Sequence, residues 1–259
     1  QEPAEIGGFL RPQVCESVPG SVSPLPGYNA PMCGRYVLVE NLAHLVGHEL
    51  EEPPGEWDPR YNVAPTQSVP ILRRSEDADT WRVDHFQWGL VPYWSRDLKI
   101  RQNLFNARSE TAAEKPSFRA AFKKRRCLIP ATGFYEWAGP KGGRSTYYIQ
   151  RADDKPLIFA GLWESWDADG RVEPLRTFTI LTTAANKEMS EFHHRMPVVL
   201  DPAGQERWMQ PAVQDMPALQ NLMVPLPDGS LKVTKVGNWV NKATNEGPDC
   251  LGPPEDLLF

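Results

Sequence analysis

Proline and glycine interrupt this chain too often for a long helix or a coiled coil. There are 26 prolines and 19 glycines among 259 residues, roughly 17% against about 12% in an average protein. The apolar runs between those breaks are short. Residues 157–163 and 197–200 have the length of buried strands, and no run approaches the ~18 residues of a membrane span. Residues 36–39, 69–73, 80–88, 127–130, 133–137, 146–150, 157–162, 177–182 and 232–236 read as strands. The turn Pro140-Lys141-Gly142-Gly143 pairs two of them as a hairpin. Three helices are expected. One covers 40–50, with Leu42, Leu45 and Val46 on one face. A second opens at the capping box Thr111-Ala112-Ala113-Glu114 and runs toward Phe122. The third starts at Asp201-Pro202 and ends near Met209. Strands that follow one another directly pair antiparallel. The expectation is α+β: a single domain, mainly antiparallel sheets curled into a barrel-like core with peripheral helices.

Charge and cysteine content narrow the chemistry. Lys and Arg total 28 against 33 Asp and Glu, a net charge of −5. Much of the deficit sits at the ends, in Glu2, Glu5, Glu16, Glu246, Asp249, Glu255 and Asp256, so the region between is close to neutral. It contains Lys123-Lys124-Arg125-Arg126, which reads either as part of a basic groove or as a solvated face. Cys15, Cys33, Cys127 and Cys250 have no zinc-ligand spacing and are too sparse for a disulfide scaffold. The reading is a reducing, cytoplasmic compartment, with Cys127 a buried inert thiol. No metal or organic cofactor is suggested. Residues 1–31 hold six prolines and little hydrophobic periodicity, and read as a flexible extension or propeptide ahead of a domain at 32–259.

Six segments place polar groups beside glycine and aromatics: Met32-Cys33-Gly34-Arg35, residues 60–66 (RYNVAPT), 88–94 (WGLVPYW), 106–111 (NARSET), 133–137 (GFYEW) and His193-His194-Arg195-Met196-Pro197. In this order they resemble the SOS-response-associated peptidase family, whose members process abasic sites in single-stranded DNA. The resemblance runs from about Met32 to Cys250.

The chemistry of those residues agrees with that likeness. A cysteine behind an initiator Met becomes the amino terminus once the Met is removed. Its α-amine then has a pKa near ~8, against about 10.4 for lysine, so a useful fraction is neutral at pH 7. Amine and thiol together capture an aldehyde as an imine and close a thiazolidine ring, and an opened abasic sugar presents such an aldehyde. The resemblance assigns this nucleophile to Cys33. It places Asn106 beside the amine, gives Glu136 proton transfer, and makes His193 an acid or base at the sugar hydroxyl. His194, its neighbour in sequence, is expected to point elsewhere. Arg35 and Arg108 resemble phosphate contacts, although either could pair with a carboxylate such as Glu110. Trp94, Pro65 and Tyr93 resemble a stacking wall for flanking bases, and Thr182 a support for His193 within the DNA-binding set.

In the family the cysteine is second in the translated chain, whereas here 31 residues precede Met32. With these attached, the Cys33 nitrogen is an amide. Either they are not made in vivo, or they are removed by self-cleavage, or the chain is an inactive precursor. The expected partner is single-stranded DNA containing abasic sites, with no membrane contact and a monomer as the default. Two other classes remain: a thiol peptidase acting on proteins, and a non-catalytic reader of modified or single-stranded DNA.

Overall fold

The computed structural model describes residues 34–40, 50, 58–75, 80–140, 143–167, 170, 172–210 and 215–254. The expected helix over 40–50 falls almost wholly outside them, as do Cys33 and residues 1–31.

Twelve strands are described: β1 Tyr36–Leu38, β2 Arg60–Val63, β3 Ser68–Arg74, β4 Trp81–Trp88, β5 Asn106–Arg108, β6 Arg126–Ala131, β7 Gly133–Ala138, β8 Ser145–Arg151, β9 Leu157–Trp166, β10 Leu175–Ala184, β11 Arg195–Pro197 and β12 Leu231–Val236. Five of them, β10-β4-β3-β6-β9, form a ring that closes because β9 pairs back onto β10. A second sheet runs β12-β8-β7-β1-β2. One residue, Thr132, separates β6 from β7 and carries the chain from barrel to sheet; its N–H donates to Val37 O (2.7 Å). Mainly antiparallel pairing is found as expected. The exceptions lie on β10, which runs parallel to β4 and to β5.

The barrel interior explains the apolar strands. β6 is buried along its whole length, and Tyr36, Trp88, Phe134, Phe159 and Phe178 pack ring against ring. At Gly161 a Cβ would stand 2.1 Å from Ile129 Cδ1 and 2.9 Å from Thr179 O, so β9 and its neighbours approach closely there. A smaller cluster of Val37, Tyr135, Tyr148, Val236, Val240 and Cys250 fills the other face of the second sheet.

The helix expected from Thr111 to Phe122 is instead two short ones, α1 (Ser109–Ala112) and α2 (Arg119–Lys124). Pro116 lies between them, lacks the N–H a helix needs, and disfavours helical backbone at Lys115. Thr111 sits inside α1 rather than capping it. The Asp201-Pro202 start holds: helix α4 (Pro202–Met209) follows α3 (Lys187–Ser190), and Asp201 accepts from Gly204 N. The basic run divides. Lys123 and Lys124 are exposed, Arg125 pairs with Glu164 (2.7 Å), and Arg126 is buried, donating to the carbonyls of Trp208, Phe122 and Gln210. It is not a four-cation patch.

Candidate active site

Strand β10 gathers several of the sequence-identified segments. Ile180 pairs with Asn106, Thr182 with both Arg108 and Pro197, and Ala184 with Arg195. The 60–66 and 88–94 segments join at the end of β4. Thr66 N donates to Trp88 O (2.7 Å), Trp88 N to Gln67 O (3.0 Å), and the Trp88 indole N–H to Phe105 O (2.8 Å), just ahead of Asn106. Thr66 turns this corner at φ 76°, unusual for a β-branched residue. Gly89 has φ +120° and a Cβ there would meet Arg101 O at 2.9 Å, so only glycine fits.

Glu136 is 4% exposed. Side chains alternate along β7: Phe134 faces the main core and Tyr135 the smaller cluster, so Glu136 shares the face of Phe134. A carboxylate held there must be compensated, which sets it apart from the surface-facing alternative. Opposite it on β8 stands Tyr147, whose ring lies 4.6 Å from that of Phe192, the residue before His193. On the other side, Tyr135 N donates to Arg35 O (3.0 Å), which extends the Tyr36–Phe134 register by one residue. That register brings Gly34, the residue bonded to Cys33, opposite Glu136.

His193 sits in the turn after α3, its N–H bonded to Met189 O (2.8 Å). Its Nδ1 accepts from Arg195 N (3.0 Å), so the neutral ring carries its proton on Nε2. His193 and His194 do not point apart: their rings stack with centroids 4.3 Å apart. A turn, unlike an extended strand, does not send consecutive side chains to opposite faces.

Arg195 is the residue that sequence reasoning passed over. It donates to both oxygens of Glu110 (2.9 Å each), and to the hydroxyl (3.1 Å) and carbonyl of Thr182. Glu110 therefore belongs to Arg195 rather than to Arg35 or Arg108. Burial pushes the Glu110 carboxyl up. The Arg195 hydrogen bonds and the Arg195 and Arg108 charges outweigh this and hold it below its usual range. Thr182 is 3% exposed and its hydroxyl also donates to Ala107 O (3.3 Å). Its place is beneath Arg195 rather than at the surface. Arg108 is exposed. The signal for Arg195 was present in the quoted His-His-Arg segment, but nothing in its spacing indicated Glu110.

Arg35 is half-buried. It donates to Asn62 Oδ1 and Val240 O (2.7 Å each), and its guanidinium lies 5.8 Å from the Trp137 ring centre. Burial lowers its pKa. Asn62, wholly buried, donates in turn to the carbonyls of Val240, Lys242 and Asn245. Tyr93 and Trp94 are 59% and 46% exposed, with the Trp94 indole N–H on Pro116 O (3.3 Å), so Trp94 is not a core residue. Pro65 is half-buried in its turn. Burial pushes the Cys127 thiol far up, as an inert thiol requires.

Asn106, Arg108, Thr182 and His193 thus come together around β10, and Glu136 reaches them through Tyr147 and Phe192. Among the described residues no cluster of His, Cys, Asp and Glu could hold a metal ion, and no helix is long and apolar enough to cross a membrane.

Comparison with known proteins points the same way. The sequence profile of the SOS response associated peptidase (SRAP) family matches residues 32–243. Abasic site processing protein YoqW of Bacillus subtilis is 37% identical over 225 residues, covering 85% of this chain and 99% of that protein. Abasic site processing protein HMCES of Gallus gallus is 31% identical, over 78% of this chain and 68% of that one. The crystal structure of a protein from Bacteroides thetaiotaomicron superposes with a TM-score of 0.75 at 26% identity, covering 85% of this chain and 99% of that one.

Proposed function

Because the chain belongs to the SOS response associated peptidase family, we propose that it processes abasic sites in single-stranded DNA by bonding to them through Cys33. The amine of a terminal Cys33 attacks the sugar aldehyde and water leaves as the imine forms. The thiol then adds to the imine carbon, its proton passing to nitrogen, and a thiazolidine closes. Overall one water is released and nothing is oxidised. Glu136 carries protons to and from the carbonyl oxygen and the nitrogen. Asn106 orients the amine. His193 works at the sugar hydroxyl, in ring opening, in reversal and in strand cleavage. Arg35 and Arg108 hold phosphates, while Tyr93, Trp94 and Pro65 stack on flanking bases. The peptide bond ahead of Cys33 must first be broken, and self-cleavage by the same thiol is the route we favour.

One observation carries this reading: a buried carboxylate, Glu136, faces the backbone of Gly34 across two paired strands. No fold requirement explains a glutamate in an aromatic strand at that position. Acid–base chemistry on the residue joined to Gly34 does.

The test is intact mass spectrometry of a chain beginning at Cys33, mixed with an abasic oligonucleotide without borohydride. The expected species has the summed mass less one water. Cys33→Ala abolishes it, and Glu136→Gln slows its formation while DNA binding persists. Salt-sensitive binding without any adduct would leave a non-catalytic reader. Turnover of a peptide library would establish a peptidase.

A further inference from the structure

Between β8 and β12, away from the residues assigned above, lies a cavity of about 370 Å3 lined by Arg144, Ser145, Thr146, Lys235, Asn238 and the backbone around Gly237. Two cations, two hydroxyls and an amide meet there. No carboxylate is among the lining residues, in a protein of net charge −5. The site is tied to the candidate active site along two lines. Lys235 pairs with Tyr147, and Tyr147 with Glu136, so the three share one face of the sheet, with Lys235 roughly 10 Å from Glu136 across two strand spacings. Thr146 donates to Asn241 Oδ1 (3.1 Å), which also accepts from the Trp137 indole (2.7 Å), and Trp137 in turn lies under Arg35.

We propose that this cleft is a phosphate subsite for the DNA strand on one side of the abasic residue. The proposal rests on the function inferred above. Arg144 offers a planar fork and Lys235 a point charge to the same phosphodiester, with the hydroxyls of Ser145 and Thr146 completing its shell. Trp239, the residue after Asn238, is half exposed and supplies a face for the adjoining base. A free phosphate needs neither the aromatic nor the continuity with Arg35, which favours a nucleic-acid strand as the occupant.

The test uses the chain beginning at Cys33 and fluorescence anisotropy between 50 and 200 mM salt, a range set by. The probes are oligonucleotides with the abasic site at the 5′ end or at the 3′ end. Arg144→Gln with Lys235→Gln weakens one polarity about tenfold, lowers its salt slope by about 1 to 1.5, and leaves the other polarity unaffected. Lys235→Arg restores most of the loss, which a misfolded variant could not show. Equal loss for both polarities, or an unchanged slope, overturns the subsite. Saturable binding of inorganic phosphate that does not compete with either oligonucleotide assigns the cleft to a free anion and overturns it as well. If the wild type forms no covalent adduct, the proposed function fails. The salt slope on an unmodified oligonucleotide then still judges the cleft.

Discussion

Replacing Asn62 by Ala tests whether the segment after β12 is fastened to the site through a single amide. Asn62 is wholly buried; its Nδ2 meets the carbonyls of Val240 (3.1 Å), Lys242 (2.9 Å) and Asn245 (2.8 Å), and its Oδ1 accepts from Arg35 (2.7 Å). Two N–H hydrogens serve three acceptors, so they count as about two neutral bonds of ~1 kcal/mol each, with one charge-assisted bond of about 1.5–3 kcal/mol. Arg35 keeps Val240 O as an acceptor, so the expected loss is about 3 kcal/mol. With a urea m-value near 2–3 kcal/mol/M, the unfolding midpoint falls by roughly 1 M, and Tm by about 6–12 °C. Asn62→Asp preserves the acceptor for Arg35 but faces three carbonyls with no donor, so it too is destabilising. The assay is urea unfolding followed by tryptophan fluorescence. A loss below about 1 kcal/mol for Asn62→Ala would refute the reasoning, because the carbonyls would then be satisfied by water as readily as by the amide.

Three further outcomes are expected. The depressed pKa of Glu110 means that its pairing with Arg195 contributes stability that is fully present above the unfolded carboxylate pKa and is lost as pH falls through the lower folded value. Glu110 is 51% exposed, so Glu110→Gln costs about 1 kcal/mol or less at pH 7; denaturation curves of variant and wild type should converge in acid, and a gap that widens there would contradict the assignment. Gly161→Ala drives a methyl into Ile129 and Thr179 O, at a cost of about 3 kcal/mol or more; retention of the wild-type Tm would mean that the barrel is looser than described. Trp94→Ala, on an exposed side chain, should weaken single-stranded DNA binding by about 1–3 kcal/mol while calorimetry shows little change in Tm; unchanged binding would remove Trp94 from the DNA surface.

Much of the architecture was readable in the order of short apolar runs. Strands β3, β4, β6–β10 and β12 lie where periodicity and turn residues place them, because buried strands of this kind carry their own pattern. β2, β5 and β11 were not recognised as strands. β5 and β11 have three residues each, too short for a period to register, and they exist because β10 offers them an edge. The helix from Thr111 failed for a local reason, Pro116, which the capping box obscured.

For the site, residue types in sequence order identified the chemistry, since a terminal aminothiol, a carboxylate and an imidazole have reactivities that no fold needs to explain. Sequence could not tell which face of β7 would carry Glu136, that the two histidine rings would stack, or that Arg195 and not Arg108 would claim Glu110. Those outcomes depend on contacts between residues far apart in the chain: Glu110 and Arg195 are 85 positions apart, and Asn62 lies 178 or more from the carbonyls it holds. Pairings of that range are set by the closure of β9 onto β10 and by the return of the chain beyond β12, and local sequence carries no trace of either.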